Sequence, residues 1–353
     1  MSKTLFFSEA GLTRLLEAVK VSEVYAAVRR ERGPEYCHLQ KVPDAEVALR
    51  EPRPSASPKA FLQPARERVA VYTNEGVDAE ASCPVCEDRA LVGLRACDLA
   101  AIAYLDKVFL EGDFTDPFYK ARRENDLLIS VDCVAVHENC FCTAVGGKPF
   151  AESGFDLNIT PLESGYLLDV GTDKGQAVVD QVADAGAEPT AEHLKEREQA
   201  RQTSVEQVDG QTGGLRVTDA LQELLLSKQD SNELSEMATR CVECAACTFI
   251  CPTCHCFYLY DQVGGDENFE RVRTWDSCIL GDYSRMAGPA GAKPTPRPSL
   301  RNRCANRLLH KYAFSPQQYG MLGCTGCGRC IEACYGEIDI RDCLRELSGD
   351  TSG

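Results

Sequence analysis

Cys241, Cys244, Cys247 and Cys251 follow the spacing C-x2-C-x2-C-x3-C, and Cys324, Cys327, Cys330 and Cys334 repeat it. Three thiolates two residues apart can wrap around three irons of a cubane, while the fourth, on a following helical turn, reaches a second cluster. The spacing therefore groups Cys241, Cys244 and Cys247 with Cys334, and Cys324, Cys327 and Cys330 with Cys251, as ligands of two 4Fe-4S clusters. A zinc ribbon is the plainer alternative, but it uses two C-x2-C pairs and has no place for a third cysteine in each run. Pro252 follows the first run as such motifs expect, whereas Tyr335 stands after the second.

A third set is scattered: Cys97 in "LRACD", Cys133 in "SVDC", and Cys140 and Cys142 in "HENCFC". Cys97 and Cys133 each follow an apolar run that reads as a parallel strand, and open α/β sheets place ligands beyond the carboxyl ends of such strands. A third 4Fe-4S cluster is the expectation, with zinc or inert core thiols as the alternatives. Cys83 and Cys86 form "CPVC" in what reads as a surface loop, a pattern shared by redox dithiols and half zinc sites; no cluster role is expected. Cys254, Cys256 and Cys278 are left without an assigned role, and His255 between the first two reads as an outer neighbour rather than a ligand. Cys37, Cys304 and Cys343 stand alone and read as core or surface thiols.

The elements that must position these residues have recognisable rhythms. Residues 8–31 read as an amphipathic helix, with Leu12, Leu15, Leu16 and Val19 at helical spacing and Ser8 as N-cap. The proline-rich stretch 51–64 reads as a surface connection. Apolar runs at 68–73, 90–96 and 126–132, the last two separated by the helical pattern "DLAAIAYLDKVFL", suggest βαβ units with parallel strands. Residues 154–171 read as a hairpin turning near Glu163 to Gly165. Good helix formers then dominate up to about 240. The 72 residues between Cys251 and Cys324 are too many for a compact β-hairpin ferredoxin. The expected architecture is an α/β N-terminal domain (1–171), a helical connector (172–238) and an all-α C-terminal domain of α-helical ferredoxin type (239–353).

Composition sets outer limits. The chain has 353 residues, 44% of them hydrophobic, enough for a real core. No secretory signal and no apolar run of spanning length are evident, so a cytoplasmic location is expected, where thiols stay reduced and available to metals. A formal net charge of −16 opposes a nucleic-acid surface. No Walker A or strand-borne G-x-G-x-x-G occurs, so no flavin or nucleotide site of the chain's own is expected.

The elements "ACD" (96–98), "FYKARRE" (118–124), "CFC" (140–142), "GFDL" (154–157), "CVECAACTFICPTCHCF", "TWDSC", "LRNR" (300–303) and "CTGCGRC" together resemble the beta subunit of soluble sulfhydrogenases and the A subunit of anaerobic sulfite reductase. The resemblance spans roughly residues 90–345. It implies an electron-transfer subunit, working between a flavin- and NAD(P)H-binding partner and a terminal redox subunit of hydrogenase, sulfite reductase or heterodisulfide reductase type. Cys97, Cys133, Cys140 and Cys142 match positions of that family; Cys83 and Cys86 do not. Arg122 and Arg123 match as well, without indicating what they touch. Arg329, inside the second run, reads either as a charge that tunes or docks or as a solvated helix residue. Two other functions stay open at this point. One is direct reduction of a disulfide or sulfur compound at an additional cluster, which the absence of a Cys-Cys-Gly motif disfavours. The other is a zinc-bound structural or binding protein, which the acidic charge and paired runs oppose.

Overall fold

The computed structural model describes residues 3–348, apart from 20, 22, 43–44, 79–81, 83–86, 229–237, 266–267, 287 and 290–293. The "CPVC" cysteines, Cys83 and Cys86, lie outside the described residues. In chain order the strands are β1 (Thr4–Phe7), β2 (Glu23–Val28), β3 (Glu35–His38), β4 (Arg66–Thr73), β5 (Gly76–Asp78), β6 (Arg89–Leu94), β7 (Asp126–Val131), β8 (Leu157–Leu162), β9 (Gly165–Val170), β10 (Gly186–Ala187), β11 (Phe257–Val263) and β12 (Phe269–Trp275). Among the described residues they form an eight-stranded sheet, ordered β10-β1-β9-β8-β7-β6-β2-β3, and a four-stranded sheet, ordered β11-β12-β4-β5.

The large sheet is built around four parallel strands, β2, β6, β7 and β8. Residues of β6 and β7 are apolar on both faces because both faces are covered. Ala90, Val92, Leu127 and Ile129 enter one core with Leu12 and Leu15 of the first helix, while Leu91 and Leu128 enter another with Leu99, Ile102 and Leu105 of the helix Ala96–Phe109. The hairpin expected at 154–171 forms as β8 and β9. The expected N-cap also forms, with the Ser8 hydroxyl accepting from the Gly11 amide.

Several expectations need correction. The helix begun at Ser8 ends at Glu17, and β2 follows, because Val24, Ala26 and Val28 fill the sheet core by alternation. The run at 68–73 is not a parallel strand of the large sheet; it lies in β4, antiparallel to β12. The C-terminal region is not all-α, since β11 and β12 form an antiparallel hairpin on β4. "FYLYDQV" and "FERVRTW" are rich in aromatic and β-branched residues around a turn containing Gly264 and Gly265, a hairpin composition that competes with the helical reading of the cysteine flanks. Finally, the proline-rich stretch is not a surface connection throughout: Arg53, Pro54, Lys59 and Leu62 are buried.

A buried charge cluster clamps the small sheet to the rest. Glu67 of β4 pairs with Arg122 at 2.5 Å and with Arg273 of β12 at 2.5 Å, and Arg273 also pairs with Asp116, the N-cap of the helix Pro117–Asn125. Arg123 pairs with Asp106 at 3.1 Å. Arg122 and Arg123 thus join elements of the fold. No helix among the described residues is long and apolar enough to cross a membrane.

Candidate metal centres

The two cysteine runs take the same backbone path. In the first, Glu243 and Ala245 have φ of +56° and +60°; in the second, Gly326 and Gly328, at the matching places, have +65° and +73°. Each run then enters a one-turn helix, Ala246–Phe249 or Arg329–Glu332. The left-handed residues turn the chain sharply on either side of the middle cysteine, and that folds three thiols toward one point.

Cys241, Cys244, Cys247 and Cys334 line one cavity, together with Cys330, Cys304 and Arg307. Both runs therefore contribute, as the crossed grouping of ligands expects. Gly336 brings them together: a Cβ there would lie 2.2 Å from the carbonyl oxygen of Arg240, just before the first run. Cys304, expected to stand alone, is buried and in hydrogen-bonding contact with Cys241, a contact that lowers the Cys241 thiol to about 6. Cys244 is exposed.

Of Cys251, Cys324, Cys327 and Cys330, Cys330 lines this cavity. Burial pushes the Cys330 thiol up to about 12, and the charges of Cys324, Cys251 and Cys327 push it the same way, against the lowering by Arg307. Lys311 donates to the Cys251 sulfur at 3.2 Å and to the Gly323 carbonyl at 2.9 Å. Backbone amides donate to ligand-candidate sulfurs as well, Gly326 to Cys324 and Ile338 to Cys334, each at 3.4 Å.

Cys97, Cys133, Cys140 and Cys142 line a further cavity with Arg53 and Cys327. Cys97 sits in the first turn of the helix after β6, and Cys133 two residues beyond β7, at the carboxyl edge of neighbouring parallel strands. The loop with Cys140 and Cys142 is held from two sides. Gln211 of the helix Ala191–Thr212 donates to the carbonyls of His137 and Cys140, at 3.0 and 3.3 Å. The Phe141 amide donates to the Gly326 carbonyl of the second run at 2.7 Å. Burial raises the Cys133 thiol to about 12 and raises Cys142 too, so both stay protonated unless a metal takes the proton's place.

Arg329 links the second run to the Cys97 cavity. It is fully buried, pairs with fully buried Asp98 at 2.7 Å, and donates to the Pro54 carbonyl. The solvated alternative for this residue does not hold. Asp98 in turn accepts from the Arg95 amide at the start of the helix carrying Cys97.

The buried surroundings of the cysteines suit cubane clusters. Arg307 Nε and Nη2, Arg53 Nη2, Arg329 Nη2, Thr143 Oγ1 and Thr325 Oγ1 are buried without a hydrogen-bond partner, and each belongs to a cysteine-bearing segment or cavity lining. Such atoms carry a large desolvation cost unless something accepts from them. The sulfides and thiolates of a cluster are acceptors of that kind, so the residues fit the group. Among the described residues no three His, Cys, Asp or Glu side chains converge on a single ion, and a cubane spreads its ligands over separate corners.

Arg53, Arg307 and Lys311 were not singled out by the cysteine spacing. Arg303, Arg307 and Lys311 recur every four residues among buried Leu308, Leu309 and Tyr312, and cations at that period on an apolar face were the available signal.

Comparison with known proteins agrees with this geometry. Residues 240–338 match the 4Fe-4S dicluster domain family. The chain is 29% identical over 332 residues to sulfhydrogenase 2 subunit beta of Pyrococcus furiosus, covering 93% of each chain. The resemblance carried by the sequence motifs thus extends over nearly the whole length, and the chain is an iron-sulfur protein of the oxidoreductase, electron-transfer kind.

Proposed function

We propose that this chain is the iron-sulfur subunit of a cytoplasmic multi-subunit oxidoreductase, relaying single electrons between a flavin- and NAD(P)H-binding subunit and a terminal redox subunit of sulfhydrogenase type. The observation that carries the reading is continuity: Cys330 lines the first-run cavity, Cys327 lines the Cys97 cavity, and both belong to the second run between them. Three 4Fe-4S clusters, held as grouped above, would supply one-electron oxidation and reduction at each station.

The chain's own residues do the rest. Twelve thiolates hold the groups and fix their order. Arg307 and Lys311, whose strongest opposing charges are cysteine thiolates, offset negative charge in the dry interior. Amides of Gly326 and Ile338 donate to ligand sulfurs, the means by which a protein raises a cluster's potential. Access is uneven: Cys244 is exposed, and Val242 in the first run and Tyr335 next to Cys334 are 61% and 86% exposed. The first-run site is therefore the one a partner subunit reaches. On this reading residues 1–171 and 239–353 carry the clusters and share the four-stranded sheet, with the helix Ala191–Thr212 bracing the third site.

Anaerobic purification with iron and acid-labile sulfide analysis tests the proposal. About twelve irons belong to these three sites, and zinc without sulfide would refute them. Replacing Cys142 by Ala is expected to remove about four irons and one EPR signal while sparing the others; an unchanged spectrum would refute the third site.

A further inference from the structure

The hairpin that the sequence reading missed gathers the cysteines it left over. Phe257, the first residue of β11, pairs with Trp275, the last of β12. Antiparallel pairing therefore sets the residues just before β11 beside those just after β12. The Asp276 amide donates to the Cys256 carbonyl at 3.0 Å, and the Cys256 and Cys278 thiols come into hydrogen-bonding contact. Cys254, two residues earlier, lines the same cavity with Cys256, Cys278 and the imidazoles of His255 and His310.

This constellation repeats the plan of the Cys97 site. There too a C-x-C pair, Cys140 and Cys142, is completed by cysteines that follow strands. Charge points the same way. Lys59 is 3% exposed, donates to the Cys254 carbonyl at 3.1 Å and lies 4.0 Å from the centre of the Trp275 ring. Lys311 and Arg307 line this cavity as well, and Arg307, 5% exposed, leaves Nε and Nη2 without a partner. The two unpartnered Arg307 donors, buried beside the Lys311 ammonium, favour an anionic occupant that can accept from them.

We infer that Cys254, Cys256 and Cys278 are thiolate ligands of a further 4Fe-4S cluster, beside the second-run site at Cys251 and within a cage formed by Lys59, Lys311 and Arg307. His255 and His310 are the remaining protein donors to its fourth corner. Cys254 is in contact with Cys251, so the second-run site would be a branch point with three neighbours. The inference rests on the reading that the chain carries clusters, and iron content separates the two.

The test uses the full chain, purified anaerobically with its iron. About sixteen irons with matching sulfide are expected, and Cys256→Ser and Cys278→Ser are each expected to lose about four while keeping the remaining EPR signals. About twelve irons or fewer in the unaltered chain would overturn the fourth cluster alone, whether or not the variants fold, and iron near zero would overturn the parent reading too. A Cys256–Cys278 disulfide found by mass spectrometry of the loaded protein would also overturn it.

Discussion

Glu243 and Ala245 in the first cysteine run, and Gly326 and Gly328 in the second, hold the same left-handed conformations at the same places. Their surroundings differ. A Cβ on Gly326 would lie 2.5 Å from the Phe141 carbonyl oxygen, and one on Gly328 would lie 2.1 Å from that of Asn139. The second run is pressed against the loop of the third site, so only glycine fits, whereas the first run lies beside solvent-exposed Cys244 and accommodates side chains. Spacing alone sets the shape of such a run. Whether glycine is required depends on what the run packs against, and here it marks the run that packs on the Cys140–Cys142 loop.

Substitutions at matched positions can break this comparison. The largest effect is expected from Asp98→Ala, which leaves the Arg329 guanidinium buried without its partner and should cost about 3–5 kcal/mol in chemical denaturation. Gly328→Ala combines a left-handed alanine with overlap on Asn139, for an expected loss of about 2–4 kcal/mol. In the first run, Glu243→Gln weakens the 2.7 Å pair with Arg303, in which Glu243 is 37% exposed, and should cost under about 1 kcal/mol. Ala245→Gly, relieving a left-handed residue while adding glycine's entropy, should move stability by less than about 1 kcal/mol. Equal losses in the two runs would contradict the difference in packing.

What the sequence made legible follows from how local each signal is. The two runs are legible because each folds three thiols through short turns, and the crossing of Cys334 toward the first run follows from the same spacing. Cys97 and Cys133 are legible because strand ends announce themselves as apolar runs. The hairpin of β11 and β12 was obscured by the cysteine motif before it and by a partner, β4, nearly two hundred residues away in the chain. Its absence from the sequence reading left Cys254, Cys256 and Cys278 without a place. Arg329 was ambiguous because its partner Asp98 comes from another element, and the burial of Arg53 depends on contacts with Cys327 and Glu332 that spacing cannot show.

The central claim is that the second-run site stands between the first-run site and the Cys97 site. EPR of the fully reduced chain tests it most directly, because neighbouring reduced clusters split each other's signals. The unaltered protein is expected to give split, interacting signals, and Cys324→Ala is expected to leave the first-run and Cys97-site signals without interaction between them. Persistence of the splitting in that variant would contradict the arrangement.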